Sequence, residues 1–400
     1  MIGEVRIENY KSIQKLKLEL GRVTVLIGEN GCGKSNILEA IALASAAADD
    51  KLDNEFLASR GIRVTEPQLM RSAFEKENLV KDIRIELGAN GKEFGCILEN
   101  DNSPYSQWVN KVNSLYALAS YAVETIVSNN TIIGDAYEAL QKQDMEDKSI
   151  PFSEKLKALE KSLEKLSTAK KEIESLAQKY YVDKFIIYSP ENQALRTFEK
   201  EGQVQPLGIN GEGLFKLINV LNADNLDELN QIKEKLRLID WFKDFEIPQN
   251  LSAMQTSLQI TDRYLDTDLS YFDQRSSNEG FLFLLFYFTL FISDITPKFF
   301  AIDNIDASLN PRLCRRLIQE LVELAKKNDK QVILTTHNPA VLDGLDLDDD
   351  EQRLFVISRN LLGYTKARRI LSPKPLEGQE PVDLSEAFLR GYIGGLPKNF

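Results

Sequence analysis

Three cysteines and one histidine are all that 400 residues offer to thiol and imidazole chemistry. Cys32, Cys96 and Cys314 are widely separated and show no metal-ligand spacing, so no zinc site is implied and a reducing cytoplasm is the simplest compartment. Long hydrophobic runs are also missing. The longest, Phe281 to Ile292, falls well short of the ~20 residues that span a bilayer and reads as a buried helix, so no membrane partner is expected. The start, Met-Ile-Gly-Glu, lacks the basic stretch and apolar core of a secretory signal, and export is not expected. Basic excess is absent: the formal net charge of −12 leaves nucleic acid possible only through a local patch and gives it no support. No internal repeat or low-complexity tract is found. With 43% apolar residues the chain can bury a sizeable core, and roughly 100–200 residues per domain allows two or three units.

Around one stretch the rest is organised. Gly28 to Ser35 reads G-E-N-G-C-G-K-S and fits the phosphate-loop pattern G-x-x-x-x-G-K-[ST] at every fixed position. Arg22 to Ile27 reads as a buried strand before it and Asn36 to Ala48 as an Ala/Leu-rich helix after it. Gly28, Gly31 and Gly33 let the loop wrap closely enough for backbone N–H groups to face phosphate oxygens, and the helix N-terminus adds positive potential. The expected ATP-binding set is Asn30, Gly31, Cys32, Gly33, Lys34, Ser35 and Asn36, with Lys34 on the outer phosphates and the Ser35 hydroxyl on Mg²⁺. Cys32 is most simply a small filler.

In chain order, Val5–Tyr10 and Leu16–Leu20 alternate as half-exposed strands, and Asp82–Leu87 and Glu93–Leu98 flank Gly88-Ala-Asn-Gly91 as a hairpin. Gln68 between them fits either a nucleotide-sensing glutamine or an ordinary surface residue. From about 103 to 182 the chain turns polar and helical. Pro151 marks a helix start, and Leu156, Leu159, Leu163, Leu166, Ile173 and Tyr180 form a stripe that suits either a short coiled coil or an amphipathic helix on its own domain. Asp183–Tyr188 returns to strand and Ser189–Arg196 reads as its closing loop. Gly208–Asn222 and Asn225–Leu238 read as helices, followed by short strand-like pieces to Phe272. Leu384–Gly391 reads as a short terminal helix. The expected organisation is therefore 1–102 and 183–400 as two parts of one head, with 103–182 inserted.

Lys298–Asp303 is an apolar strand ending in a carboxylate, which is how an Asp reaches a phosphate-bound Mg²⁺; Asp303 is the expected metal residue beside Ser35. Gln331–Thr336 forms another buried strand ending at His337, where open α/β sheets place ligand groups. A γ-phosphate contact is expected of it, a core histidine being the bland alternative.

These motifs, with Ser277-Asn278-Glu279-Gly280 opening the apolar helix and Ala307–Pro311 after Asp303, resemble the ordered motifs of ABC-type ATPase heads. The likeness is to the SMC-like branch, and within it to prokaryotic ATPases related to OLD (overcoming-lysogenization-defect) proteins; it covers residues 1–45 and 270–400. The resemblance implies an α/β fold: a mixed sheet around a P-loop, an antiparallel side sheet and a helical insertion. It implies ATP and Mg²⁺ as cofactors, and Ser277, Asn278, Glu279 and Gly280 as a signature touching ATP held by a second subunit. It further implies a homodimer or higher homo-oligomer through ATP, and a separately encoded effector, a nuclease or toxin in antiphage defence.

One departure matters. Where such heads carry a glutamate after the Walker B Asp, this chain has Asn304, which cannot accept a proton as a base but can orient water. Asp306 is an alternative base if the backbone brings it within about 3 Å of that water. Lys34, Asp303, Asn304, Asp306 and His337 thus form the expected catalytic set of a slow ATPase. The alternatives are a nucleotide-gated scaffold with little hydrolysis, or a DNA-repair or maintenance ATPase.

Overall fold

A computed structural model describes residues 1–111, 161–248, 257–372 and 382–396, apart from 162–163, 165–166, 169, 172–173, 201, 203 and 267. The proposed stripe residues Leu156, Leu159, Leu163, Leu166 and Ile173 and the helix start at Pro151 lie outside the described residues.

Two sheets carry the molecule. The first is antiparallel, ordered β2-β1-β4-β5-β6, from β1 (Glu4–Tyr10), β2 (Ile13–Glu19), β4 (Ile83–Ala89), β5 (Lys92–Glu99) and β6 (Val109–Asn110). Its strands alternate because one face alone is covered: Val5, Ile7, Ile83, Ile85, Phe94 and Cys96 are buried between more exposed neighbours. The expected hairpin is there, with Ile83 opposite Leu98 and Ala89 opposite Lys92.

The second sheet runs β13-β12-β3-β11-β10-β7, from β3 (Val23–Ile27), β7 (Ile187–Tyr188), β10 (Phe299–Ile302), β11 (Gln331–Thr336), β12 (Gln352–Arg359) and β13 (Thr365–Ile370), while β8 (Phe242–Glu246) and β9 (Gln259–Asp262) pair separately. All neighbours are parallel except β12 and β13. Strands β3, β10 and β11 are buried at every position, which explains their continuous apolar reading: both faces are covered. Val23, Val25, Ile27, Phe300, Ile302, Val332 and Leu334 face one core, built on the Glu279–Ile292 helix. Leu26, Phe299, Ala301 and Ile333 face the other, built on the Lys34–Ala48 helix and the antiparallel sheet. The Glu279–Ile292 helix is apolar all round because Phe281 to Ile292 are all buried.

Some local expectations are corrected. Asp183–Tyr188 is a strand only at Ile187–Tyr188; Val182–Lys184 is a 3₁₀ turn after Tyr181 at φ 58°, and strand begins where β10 offers a partner. Ser189–Arg196 is not all loop, since Asn192–Thr197 is helical and seats Leu195 in the core. The helix expected from Gly208 starts at Leu214, because Gly211 and Gly213 at φ 104° and 80° keep the preceding turn out of the helical basin. The Pro311–Lys327 helix and the β12–β13 hairpin were not read from the sequence at all.

Candidate functional site

Parallel register places the ends of β3, β11 and β10 side by side, so the phosphate loop, His337 and Asp303 share one sheet edge. Gly33 is the N-cap of the Lys34–Ala48 helix, at φ 107° and without a side chain, so the cap itself claims none of the first-turn N–H groups. A Cβ at Gly33 would lie 2.1 Å from Thr365 Oγ1, and one at Gly28 2.1 Å from the Ile357 carbonyl. Both glycines are therefore set by the β12–β13 hairpin, which buttresses the loop from outside. Thr365 Oγ1 donates to the Cys32 carbonyl at 2.9 Å and lies 2.6 Å from Ser12 Oγ, which accepts from Asn36 Nδ2 at 2.7 Å. Asn30 and Gly31 are exposed at the crest, whereas Cys32 is buried as a filler, its thiol pKa pushed up by burial.

Lys34 Nζ sits inside this bowl, donating to the carbonyls of Gly28 (2.9 Å) and Glu29 (3.1 Å), with His337 Nδ1 at 3.5 Å. Burial pulls its pKa down while nearby anionic groups, Asp303 and Asp306 among them, pull it up. The His337 pKa is lowered by burial and then by the Lys34 charge, which favours a neutral imidazole able to accept from the ammonium.

Ser35 Oγ donates to Asp303 Oδ2 at 2.9 Å, uniting the two expected metal residues from 268 positions apart. Thr335 Oγ1 donates to Asp303 Oδ1 and accepts from the Asn304 N–H at 2.9 Å, so this β11 hydroxyl orients the carboxylate and pins the following turn. One hydroxyl and one carboxylate beside a phosphate cradle is the donor set Mg²⁺ takes when substrate phosphates supply further oxygens. Among the described residues no group of three or more His, Cys, Asp or Glu is poised to hold a metal alone. The residues fit Mg²⁺ bound together with a nucleotide.

Asn304 is exposed at φ 57°, a left-handed conformation that Asn tolerates better than Glu. Asp306 turns toward β11: its Oδ1 accepts from Thr336 Oγ1 at 2.6 Å and from the His337 N–H at 3.4 Å.

The signature residues are less uniform than expected. Asn278 caps the Glu279–Ile292 helix, its Oδ1 accepting from the Phe281 N–H at 2.8 Å, and Asn278 and Glu279 are exposed. Ser277 is 4% exposed, and its Oγ is buried without a hydrogen-bond partner. As placed, Ser277 does not offer its hydroxyl to a second subunit, because the turn points that side chain inward. Gln68 is exposed on the short Pro67–Met70 helix, and among the described residues no hydrogen bond ties it to the phosphate loop. Sequence reasoning missed Ser12, Thr335 and Thr365. Thr335 was the most legible, being the hydroxyl that ends a buried strand next to the Asp303 strand.

A strand, glycine loop and helix with a metal-ready Ser–Asp pair define a P-loop ATPase head. The model of the AAA ATPase domain family matches residues 1–342, and the chain belongs to that family. It is an ATP-binding P-loop ATPase, and its fold is SMC-like. The chain is 22% identical to the Retron Ec83 probable ATPase of Escherichia coli over 94% of its own length and 74% of that protein's. It is 26% identical to the DNA replication and repair protein RecF of Bacillus cereus (strain G9842), over 28% of this chain and 29% of RecF. Its fold is similar to the SMC head solved with the C-winged helix domain of ScpA: TM-score 0.54, 13% identity, 92% of this chain and 98% of that one. Among the described residues no helix is long and apolar enough to cross a membrane.

Proposed function

We propose that this ATPase works as a slow ATP-driven switch: it pairs with a second copy around ATP, hydrolyses the nucleotide, and passes the change to a separately encoded effector. The observation that carries the reading is the Ser35–Asp303 contact at the mouth of the phosphate loop, next to a turn whose following residue is Asn304. Backbone N–H groups of the loop and Lys34 would bind the phosphates; Ser35 and Asp303 would hold Mg²⁺, which supplies charge neutralisation on the phosphates when bound. Thr335 holds the Asp303 carboxylate in place, and neutral His337 is set to donate toward a γ-phosphate. Asn304 orients water but takes no proton from it, which slows turnover.

Support for pairing comes from the signature segment. Asn278 and Gly280 at a capped helix N-terminus would meet ATP held by the second copy, completing a site that one chain leaves half open. Similarity to the Retron Ec83 probable ATPase supports an effector in antiphage defence. A cytoplasmic location is proposed with it. Two further readings have support: a nucleotide-gated scaffold that scarcely hydrolyses ATP, favoured by Asn304, and a DNA-maintenance ATPase, favoured by the similarity to RecF.

Light scattering with and without a non-hydrolysable ATP analogue tests the pairing. A mass that doubles with analogue is expected, and Gly280→Arg should abolish the doubling. Space for a Cβ exists there, with Ser308 O and Leu309 Cδ2 at 3.6 Å, so the variant keeps its fold while its bulk covers the signature turn. A mass indifferent to nucleotide refutes the reading.

A further inference from the structure

Glu279, implied by its motif to reach another subunit, is fully engaged within its own chain. Its Oε1 accepts from Asn192 Nδ2 at 2.7 Å and its Oε2 from Ser308 Oγ at 2.8 Å. Asn192 Oδ1 in turn accepts from Arg196 Nη2 at 3.3 Å, and Arg196 Nη1 donates to the carbonyls of Arg275 (2.6 Å) and Ser277 (2.8 Å) in the signature turn. Ser308 lies in the turn that carries Asn304 and Asp306. That turn is closed by bonds from Ala307 N to the Asn304 carbonyl (3.0 Å) and from Leu309 N to the Asp306 carbonyl (3.3 Å), with Ser308 at φ 59°. The circuit shuts on itself: β7 runs into the Asn192–Thr197 helix, and the β7 carbonyl of Tyr188 accepts from the Asp303 N–H at 2.8 Å.

A signature turn wired in this way cannot move without either breaking the Glu279–Ser308 bond or dragging the Asn304–Asp306 turn along. Glu279 and Ser308 are both exposed, so the bond competes with water and is cheap to break and remake, as a switch contact must be. We infer that Glu279 is a positioning residue acting in cis, which links the signature turn to the water-activating turn of the same chain through Ser308. A nucleoside triphosphate brought to the signature by a second copy is thereby sensed at this chain's own Asp303–Asp306 turn. The inference rests on the ATP-paired dimer proposed above; what it adds is a direct coupling between the two nucleotide sites.

The test uses the full chain and the variants Ser308→Ala, Glu279→Ala and their double, with ATP hydrolysis followed against ATP concentration and mass measured with the non-hydrolysable analogue. Wild type should show a Hill coefficient above 1. Each single variant should bring it toward 1 and lower kcat by about three- to tenfold, as expected for loss of one coupling contact. The analogue should still double the mass of Ser308→Ala, separating loss of coupling from loss of pairing. The double variant should be no worse than the worse single. Glu279→Leu, which keeps much of the side-chain bulk and no acceptor oxygen, replaces Glu279→Ala should that variant misfold. A wild-type Hill coefficient of 1, unchanged kinetics in the singles, or a double effect equal to the product of the singles overturns the inference. A wild-type mass that ignores the analogue overturns the dimer first and this coupling with it.

Discussion

Replacing Asn304 by glutamate asks two questions at once, because the backbone and the chemistry pull in opposite directions. At φ 57° the residue sits in the left-handed basin, where a long side chain costs about 1 kcal/mol more than Asn. Spread over the unfolding entropy of 400 residues, at roughly 2.1 cal/mol/K per residue, that loss lowers Tm by only about 1 °C. Against it stands a general base, typically worth 10²–10⁴-fold when water activation limits the rate. The Asn304 side chain is exposed and its N–H is already anchored on Thr335 Oγ1, so the turn should hold while the new carboxylate faces the nucleotide side. Steady-state phosphate release from Asn304→Glu should therefore rise at least about tenfold with a nearly unchanged melting curve. Asn304→Asp, which tolerates the same φ but reaches less far, should give a smaller gain. Equal rates in all three proteins, with folds intact, would refute water activation as the slow step and favour the gated scaffold.

Lys34→Ala removes a charge-assisted phosphate contact of about 1.5–3 kcal/mol, so calorimetry should show ATP binding weakened roughly ten- to a hundredfold in a folded protein. Thr335→Val strips Asp303 Oδ1 of its hydroxyl donor and leaves the Asn304 N–H without its acceptor; Mg²⁺-dependent ATP affinity should fall by about 10–100-fold, with little change in magnesium-free nucleotide binding. Lys330 is fully buried, its Nζ donating to the Leu290 and Ser293 carbonyls and to Thr296 Oγ1 at the C-terminal end of the Glu279–Ile292 helix, and burial pushes its pKa down to about 7. Between about pH 7 and the ordinary lysine value near 10.4 the unfolded chain holds this proton and the folded one does not, so this residue makes stability rise with pH. The denaturation free energy of wild type minus that of Lys330→Met should accordingly climb across that window; a flat difference would show Lys330 to be charged throughout.

What the sequence determined by itself is local and periodic. The phosphate loop announces itself because its glycines, lysine and serine act within eight consecutive residues, Gly28 to Ser35, between a strand and a helix. The parallel strands β3, β10 and β11 read as apolar runs because burial on both faces leaves no polar alternation. Across the fold, Asp303 and His337 were legible because each follows or ends a buried apolar strand, but the residues that brace and position the site were invisible or misread. Thr365 and Ser12 brace the loop from 353 positions apart, and nothing in either neighbourhood marks a threonine or serine as a brace. Ser277 matched its motif, yet the turn folds its hydroxyl inward, while Glu279 found partners on two other segments. Asn192–Thr197 passed for loop because a six-residue helix has too little length for periodicity to show and is held by the core around Leu195. Which side chains meet at the edge of the sheet depends on strand order and on the two cores that press helices against it. Those are properties of long-range packing, and only the tertiary structure decided them.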